Sequence, residues 1–159
     1  MAAVDYFLKI DGIEGDSTDD KHRNEIEVES FSWGLSQSGS FGAGGGASTG
    51  KVQFQDFHFT AKTSKASPKL FLKCATGEHI KEATITCRRA GESQQDFMFI
   101  KMNDVLISSY QTSGNGDVPD DASSLAFAKV NFSFAPQGQD GKLLPAVNAG
   151  WDLKANKAV

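Results

Sequence analysis

Apolar and polar residues alternate with period two along most of this chain of 159 residues. The alternation runs through Val4, Tyr6, Leu8 and Ile10, then Ile26 and Val28, Val52 and Phe54, Phe57 and Phe59, Ala83, Ile85 and Cys87, and Phe97 and Phe99. It is most regular through Ala126, Ala128, Val130, Phe132 and Phe134. Successive side chains on a strand point to opposite faces, so such runs predict half-buried β-strands. An in-phase shift between Phe54 and Phe57, and the unalternated FMFIKMNDVLI from Phe97 to Ile107, predict bulges that bend strands toward a barrel or a tight sandwich. One segment breaks the pattern. SPKLFLKCATG, residues 67–77, offers Ser67 as N-cap, Pro68 at the first helical position, apolar Leu70, Phe71 and Cys74, and Gly77 just past the end. These signals predict one short helix of about ten residues, 67–76, beside a mostly β fold. Loops are expected at 11–22, 38–50, 114–121 and 136–145. With neither an internal repeat nor a linker, residues 1–159 read as one domain.

The glycine-rich loop invites a nucleotide reading. GGGASTGK, residues 44–51, resembles a phosphate cradle, in which spaced glycines, Lys and then Ser or Thr stand between a strand and a helix N-terminus. Gly45, Gly50 and Lys51 fit, but Val52 stands where the Mg²⁺-binding hydroxyl belongs, and VQFQDFHFT continues as a strand. The G-x-G-x-x-A match at residues 42–47 lacks the same helix. Neither ATP nor a dinucleotide is expected. A tight hairpin between strands ending near Gln37 and beginning near Lys51 needs two to five residues, whereas about a dozen are present, and loops of that length tend to be either functional or disordered. Glycines allow positive φ and close approach to another chain.

No catalytic constellation is complete. Gly34-Leu35-Ser36-Gln37-Ser38 approaches the nucleophile elbow but ends in Ser and precedes no helix. His22, His58 and His79 are scattered without metal-ligand spacing and read as surface or half-buried residues. Cys74 precedes His79 by five positions, at a helix end and the next strand's start, which favours packing over a thiolate couple. Asp16, Asp19 and Asp20, and Asp117, Asp120 and Asp121, lack Ca²⁺-loop spacing and read as solvated turns. No enzyme activity, cofactor or metal is expected.

Charge narrows the partners. A net charge of −4, with no basic run beyond Arg88-Arg89, gives no footprint for nucleic acid or an anionic membrane. The start MAAVDYFLKI carries Asp5 and Lys9 in a short alternating run, unlike a secretory signal peptide, and no stretch is apolar enough to span a bilayer. Cys74 and Cys87 suggest no disulfide framework and fit a reducing cytoplasm. Ser30, Ser32, Ser36, Ser38 and Ser40, with Ser108, Ser109, Thr112 and Ser113, stud the strand-like segments. Phe31 and Trp33 alternate with Ser30 and Ser32, so one face belongs to a core and the other either lines a wet cavity or meets bulk solvent.

The run FLKIDGIEGDSTDDKHRNEIEVESFSWGLSQSGS, the helix region SPKLFLKCATGEHIKEATITCRRAG and the closing GWDLKANK together resemble the Hcp (haemolysin-coregulated protein) family of bacterial type VI secretion, over nearly the whole chain. The resemblance implies two sheets curled into a β-barrel with one flanking helix, six copies closed into a homo-hexameric ring, and rings stacked into a hollow tube. That tube is built inside a contractile sheath, capped by a VgrG spike and expelled from the cell, so the protein would pass from the bacterial cytoplasm to the exterior without a signal peptide. It also implies small effector proteins carried in the ring lumen. On this reading Ser30, Ser32 and Ser36 are the lumen candidates. The loop residues Gly39, Ser40, Phe41, Gly42, Gly44, Gly45, Gly46 and Gly50 would then govern ring stacking, with Phe41 as the apolar anchor. A small-ligand-binding β-barrel is the alternative, and a hydrolase using Ser36 or Cys74 a more distant one.

Overall fold

The period-two runs fold into strands whose apolar side chains converge on one interior. The computed structural model describes residues 4–40, 48–49, 51–90 and 94–159. In chain order the elements are β1 (Val4–Ile10), β2 (Ile26–Ser32), β3 (Leu35–Ser36), β4 (Gly39–Ser40), β5 (Ser48–Thr49), β6 (Gln53–Phe54), β7 (Phe57–Lys62), α1 (Ser67–Thr76), β8 (Ile80–Arg89), β9 (Asp96–Ser113), β10 (Asp120–Phe134), β11 (Val147–Asp152) and β12 (Lys157–Ala158). Eight strands join in the order β12-β11-β10-β7-β2-β1-β8-β9, every pairing antiparallel, and β9 pairs again with β10. The last pairing closes a six-stranded barrel and removes the free edges an open sheet would leave. β3 with β6, and β4 with β5, form two short ladders outside it.

Leu8, Phe57, Ile85, Ile100, Met102, Val105 and Leu125 fill the barrel and are fully buried. α1 packs against β9 through buried Leu70. Gly77 ends the helix as the sequence predicts, with φ of 68° and its N–H donating to the Lys73 carbonyl. Its start differs from the expectation. Ala66 is the N-cap, and Ser67 lies one position inside, because the Ser67 hydroxyl donates instead to the buried carboxylate of Asp121.

The long strands keep their alternation only in pieces. On β10 the inward residues are Leu125 and Phe127, then Val130, so Ala126 and Ala128 fall out of the predicted phase. β9 changes phase at the matching place, from Ile100 and Met102 to Val105 and Ile107, where Asp104 takes a φ of 53°. A bulge between Ser124 and Leu125 inserts Ser108 into the partner strand, and others fall between Val28 and Ser30 and between Cys87 and Arg88. Beyond the phase change β10 leaves β7 and pairs with β11, and Phe132 and Phe134, in phase with Val130, are 37% and 41% exposed.

Candidate functional site: a hydroxyl-lined sheet face

Alternation that sends Val28, Phe31, Phe57, Phe59 and Ala61 inward sends their neighbours to the opposite face, and on four adjacent strands those neighbours are mostly small or polar and open to solvent, except Ser124, which is 3% exposed. The register sets them in two rows across β2, β7, β10 and β9. Ser30, Thr60, Ala122 and Gln111 form one, and Ser32, His58, Ser124 and Ser109 the other. The rows contain no Asp, Glu, Lys or Arg. The Ser30 and Thr60 hydroxyls share a hydrogen bond at 2.6 Å. The Ser124 hydroxyl meets those of Ser108 and Ser109 at 2.7 and 2.5 Å, and Ser108 also donates to Asp56 at 2.7 Å. Short side chains leave a hollow of about 280 Å³ between the rows. A hydroxyl rotates and both donates and accepts, so such a face can match varied polar surfaces without a fixed charge pattern.

Charges gather at one end, where Lys62 stands 2.9 Å from Asp120. The hydrogen bond from Lys62 holds the Asp120 carboxyl below its ordinary value, and the same bond holds the Lys62 ammonium above its own. Asp121, next along, is buried and no part of a solvated turn. It accepts from Thr63 and Tyr110 at 2.9 Å, from Thr112 at 3.3 Å and from Ser67. Four hydroxyls replace the water that a turn would supply.

The structure brings Ser30 and Ser32 together and sets Ser36 apart, on β3 opposite Gln53. Ser109, noted with Ser30 among the small polar residues of the strands, belongs to the same face, and so do His58, Thr60, Gln111 and Ala122, which the sequence reading did not group with Ser30. Only the strand register could have done so. Ser36 is followed by β4, so no elbow leads into a helix. Cys74 packs toward the core while His79 is exposed. Among the described residues, no three His, Cys, Asp or Glu could hold a metal ion together, and no helix is long and apolar enough to cross a membrane.

Of the glycine-rich loop, Gly39 and Ser40 pair with Thr49 and Ser48, so its ends are strands instead of open loop. Phe41, Gly42, Gly44, Gly45, Gly46 and Gly50 lie outside the described residues. Lys51 and Val52 lead into β6 and β7, where a phosphate loop needs a helix. Beside the β3–β6 ladder, Leu35, Val52, Phe54, Val130 and Trp151 line a mostly apolar hollow of about 380 Å³.

The family model described as "Type VI secretion system effector, Hcp" matches residues 7–134. This chain belongs to the Hcp family. Protein hcp1 of Pseudomonas aeruginosa is 42% identical to it over 158 residues, across 97% of this chain and 98% of the relative. The crystal structure of Hcp1 from Salmonella typhimurium superposes with a TM-score of 0.84 at 36% identity, covering 99% of this chain and 100% of that one. A second solved structure, described as a type six secretion system protein, reaches a TM-score of 0.92 at 31% identity, covering 99% and 100%. The Hcp match ends at Phe134, yet β11 continues the same sheet, so the Hcp barrel and its C-terminal strands are one hydrogen-bonded structure. The resemblance read from the sequence therefore holds in family and fold, and the chain is a type VI secretion protein of Hcp type. Membership favours the tube over the ligand-binding barrel.

Proposed function

We propose that the chain is a structural, non-enzymatic subunit of the type VI secretion tube, and that the hydroxyl-lined face of β2, β7, β10 and β9 forms the lumen wall of a six-membered ring. The segregation of small uncharged residues onto one face is the observation that carries this reading. A wall that must hold and release different cargoes does best with short, rotatable donors and no fixed charge pattern. The apolar residues exposed elsewhere fit buried contacts between subunits. They include Leu35 in the 380 Å³ hollow, and Phe132 and Phe134 where β10 runs past β7. Six copies sum to a charge of roughly −24, so apolar contact rather than charge has to hold the ring.

The β4–β5 arm, with Gly39, Ser40, Phe41 and the glycines 42, 44, 45, 46 and 50, is assigned to ring stacking. Shortening it to an Asn-Gly turn, or Phe41→Asp, leaves rings intact and abolishes tubes. Sheath and baseplate components, the VgrG spike and small effectors are the partners this role requires. The protein then passes from the cytoplasm to the exterior as part of the tube. Light scattering tests the ring: a particle of roughly 100 kDa, six times the 17.1 kDa chain, supports it, and a monomer contradicts it. Ser32→Gln, which fills the hollow, is expected to lower effector co-purification while the ring mass stays unchanged. Undiminished retention counts against the lumen assignment.

A further inference from the structure

The residues 11–25 between β1 and β2 fold back over the outer face of β1 and β8, and His22 is held beneath them. Its ring stacks flat on Phe7 of β1, centroids 4.5 Å apart and planes 6° from parallel. Its backbone N–H donates to Asp19 at 3.2 Å. The side-chain contacts are unusual. Nδ1 lies 3.0 Å from both carboxylate oxygens of Glu25, and Nε2 lies 3.1 and 3.2 Å from those of Asp96 at the start of β9. Asp96 also accepts from Arg88 of β8 at 2.8 Å, and Arg88 reaches Gln94 at 3.2 Å. His22, Arg88 and Glu25 are largely withdrawn from solvent, their side chains 8, 9 and 12% exposed. Nearby on the same face, Asp5 stands opposite Arg88 in the ladder and Glu27 opposite Phe7, the latter exposed.

A neutral imidazole has one donor nitrogen and one acceptor, and an ionised carboxylate only accepts. Both contacts are hydrogen bonds together only when both ring nitrogens carry hydrogen. With that proton the four groups balance, two cations against two anions. Without it a buried excess of negative charge remains, and one carboxylate faces a lone pair.

We propose that His22 acts as a protonated clamp, fastening the 11–25 loop to the β8–β9 hairpin, and that release of this one proton loosens the loop from the barrel. The clamp shares no residue with the hydroxyl-lined face. Its sign follows from the contacts: only a ring with hydrogen on both nitrogens donates to both carboxylates, so the clamp holds while both hydrogens are present and is lost when one is given up.

Glu25→Gln is the informative substitution, because the side-chain amide it introduces can donate to Nδ1 while a neutral ring still donates from Nε2 to Asp96. Histidine-¹⁵N NMR of the intact protein, with His22→Gln to identify the His22 signals among the three histidines, is expected to show two protonated ring nitrogens at neutral pH. Raising the pH is then expected to lower the melting temperature of the wild type and to speed proteolysis within residues 11–25. Glu25→Gln is expected to flatten both responses. A neutral tautomer of His22 at neutral pH overturns the proposal, and so does a Glu25→Gln protein whose melting and proteolysis follow the wild-type pH profile.

Discussion

Gly15 sits where the 11–25 loop crosses the start of β2, and a Cβ placed there comes 2.6 Å from the Glu25 carbonyl oxygen and 2.7 Å from the Ile26 Cα. Both are backbone atoms, which no rotamer change can move aside. Gly15→Ala is therefore expected to destabilise the protein by about 2 kcal/mol, the scale of overpacking. Gly114→Ala is the control, since Gly114 has nothing within 4 Å and no positive φ. Denaturation midpoints compare the two, and a Gly15→Ala no worse than Gly114→Ala removes the packing argument. The two cysteines separate as sharply. Burial pushes the Cys87 thiol up to about 11, and Cys74 is half-buried on the helix. Because the thiolate is the nucleophile, iodoacetamide is expected to label Cys74 in the native protein and to reach Cys87 only after unfolding, as read by mass spectrometry. Native labelling of Cys87 contradicts its place in the core.

At the scale of elements, Asp121 joins β10 to the approach to α1 through Thr63, to the first turn of α1 through Ser67, and to β9 through Tyr110 and Thr112. Asp121→Ala strips four hydroxyls of one acceptor and is expected to cost about 3 kcal/mol, within the range for a buried charged partner. Hydrogen exchange in α1 is expected to accelerate more than in β1, and uniform acceleration contradicts the latch. Nothing in the sequence marks Asp121 for burial, because adjacent acids after Asn115-Gly116 read as a turn wherever no partner is visible, and its partners come from 9 to 58 residues away. The strands themselves were legible, since Tyr6, Leu8 and Ile10 need only one unbroken phase to be read. So was the helix end, since Gly77 signals it locally. The break in β9 at Asp104, with its positive φ, falls inside the stretch 97–107 whose missing alternation predicts a bulge, whereas the bulge before Leu125 on β10 is marked by no glycine and no loss of alternation. His22 escaped for the same reason as Asp121, its second carboxylate lying 74 residues away. Ser30 and Ser32 were found as candidates from one strand's alternation. Their companions His58, Thr60, Ser109 and Gln111 depend on register across four strands, which one strand's pattern does not contain.

For the whole molecule, closure of the barrel by β9 and β10 spares the core strands from edge-to-edge pairing, and the strand edges left open among the described residues are those of β12 and the short ladders. One wall of that barrel is hydroxyl-lined, while apolar residues stand exposed elsewhere on the subunit at Leu35, Phe132, Phe134 and Val147. A subunit with such an uneven surface suits a closed ring, in which apolar residues meet the neighbouring copies and the polar wall faces the axis. Cryo-electron microscopy of the assembled particle tests this most directly, by showing where the Ser32, His58, Ser124 and Ser109 row points. Six copies about one axis, with both rows facing it, are expected. A ring with the rows on its outer surface, or a particle with no closed ring, contradicts it.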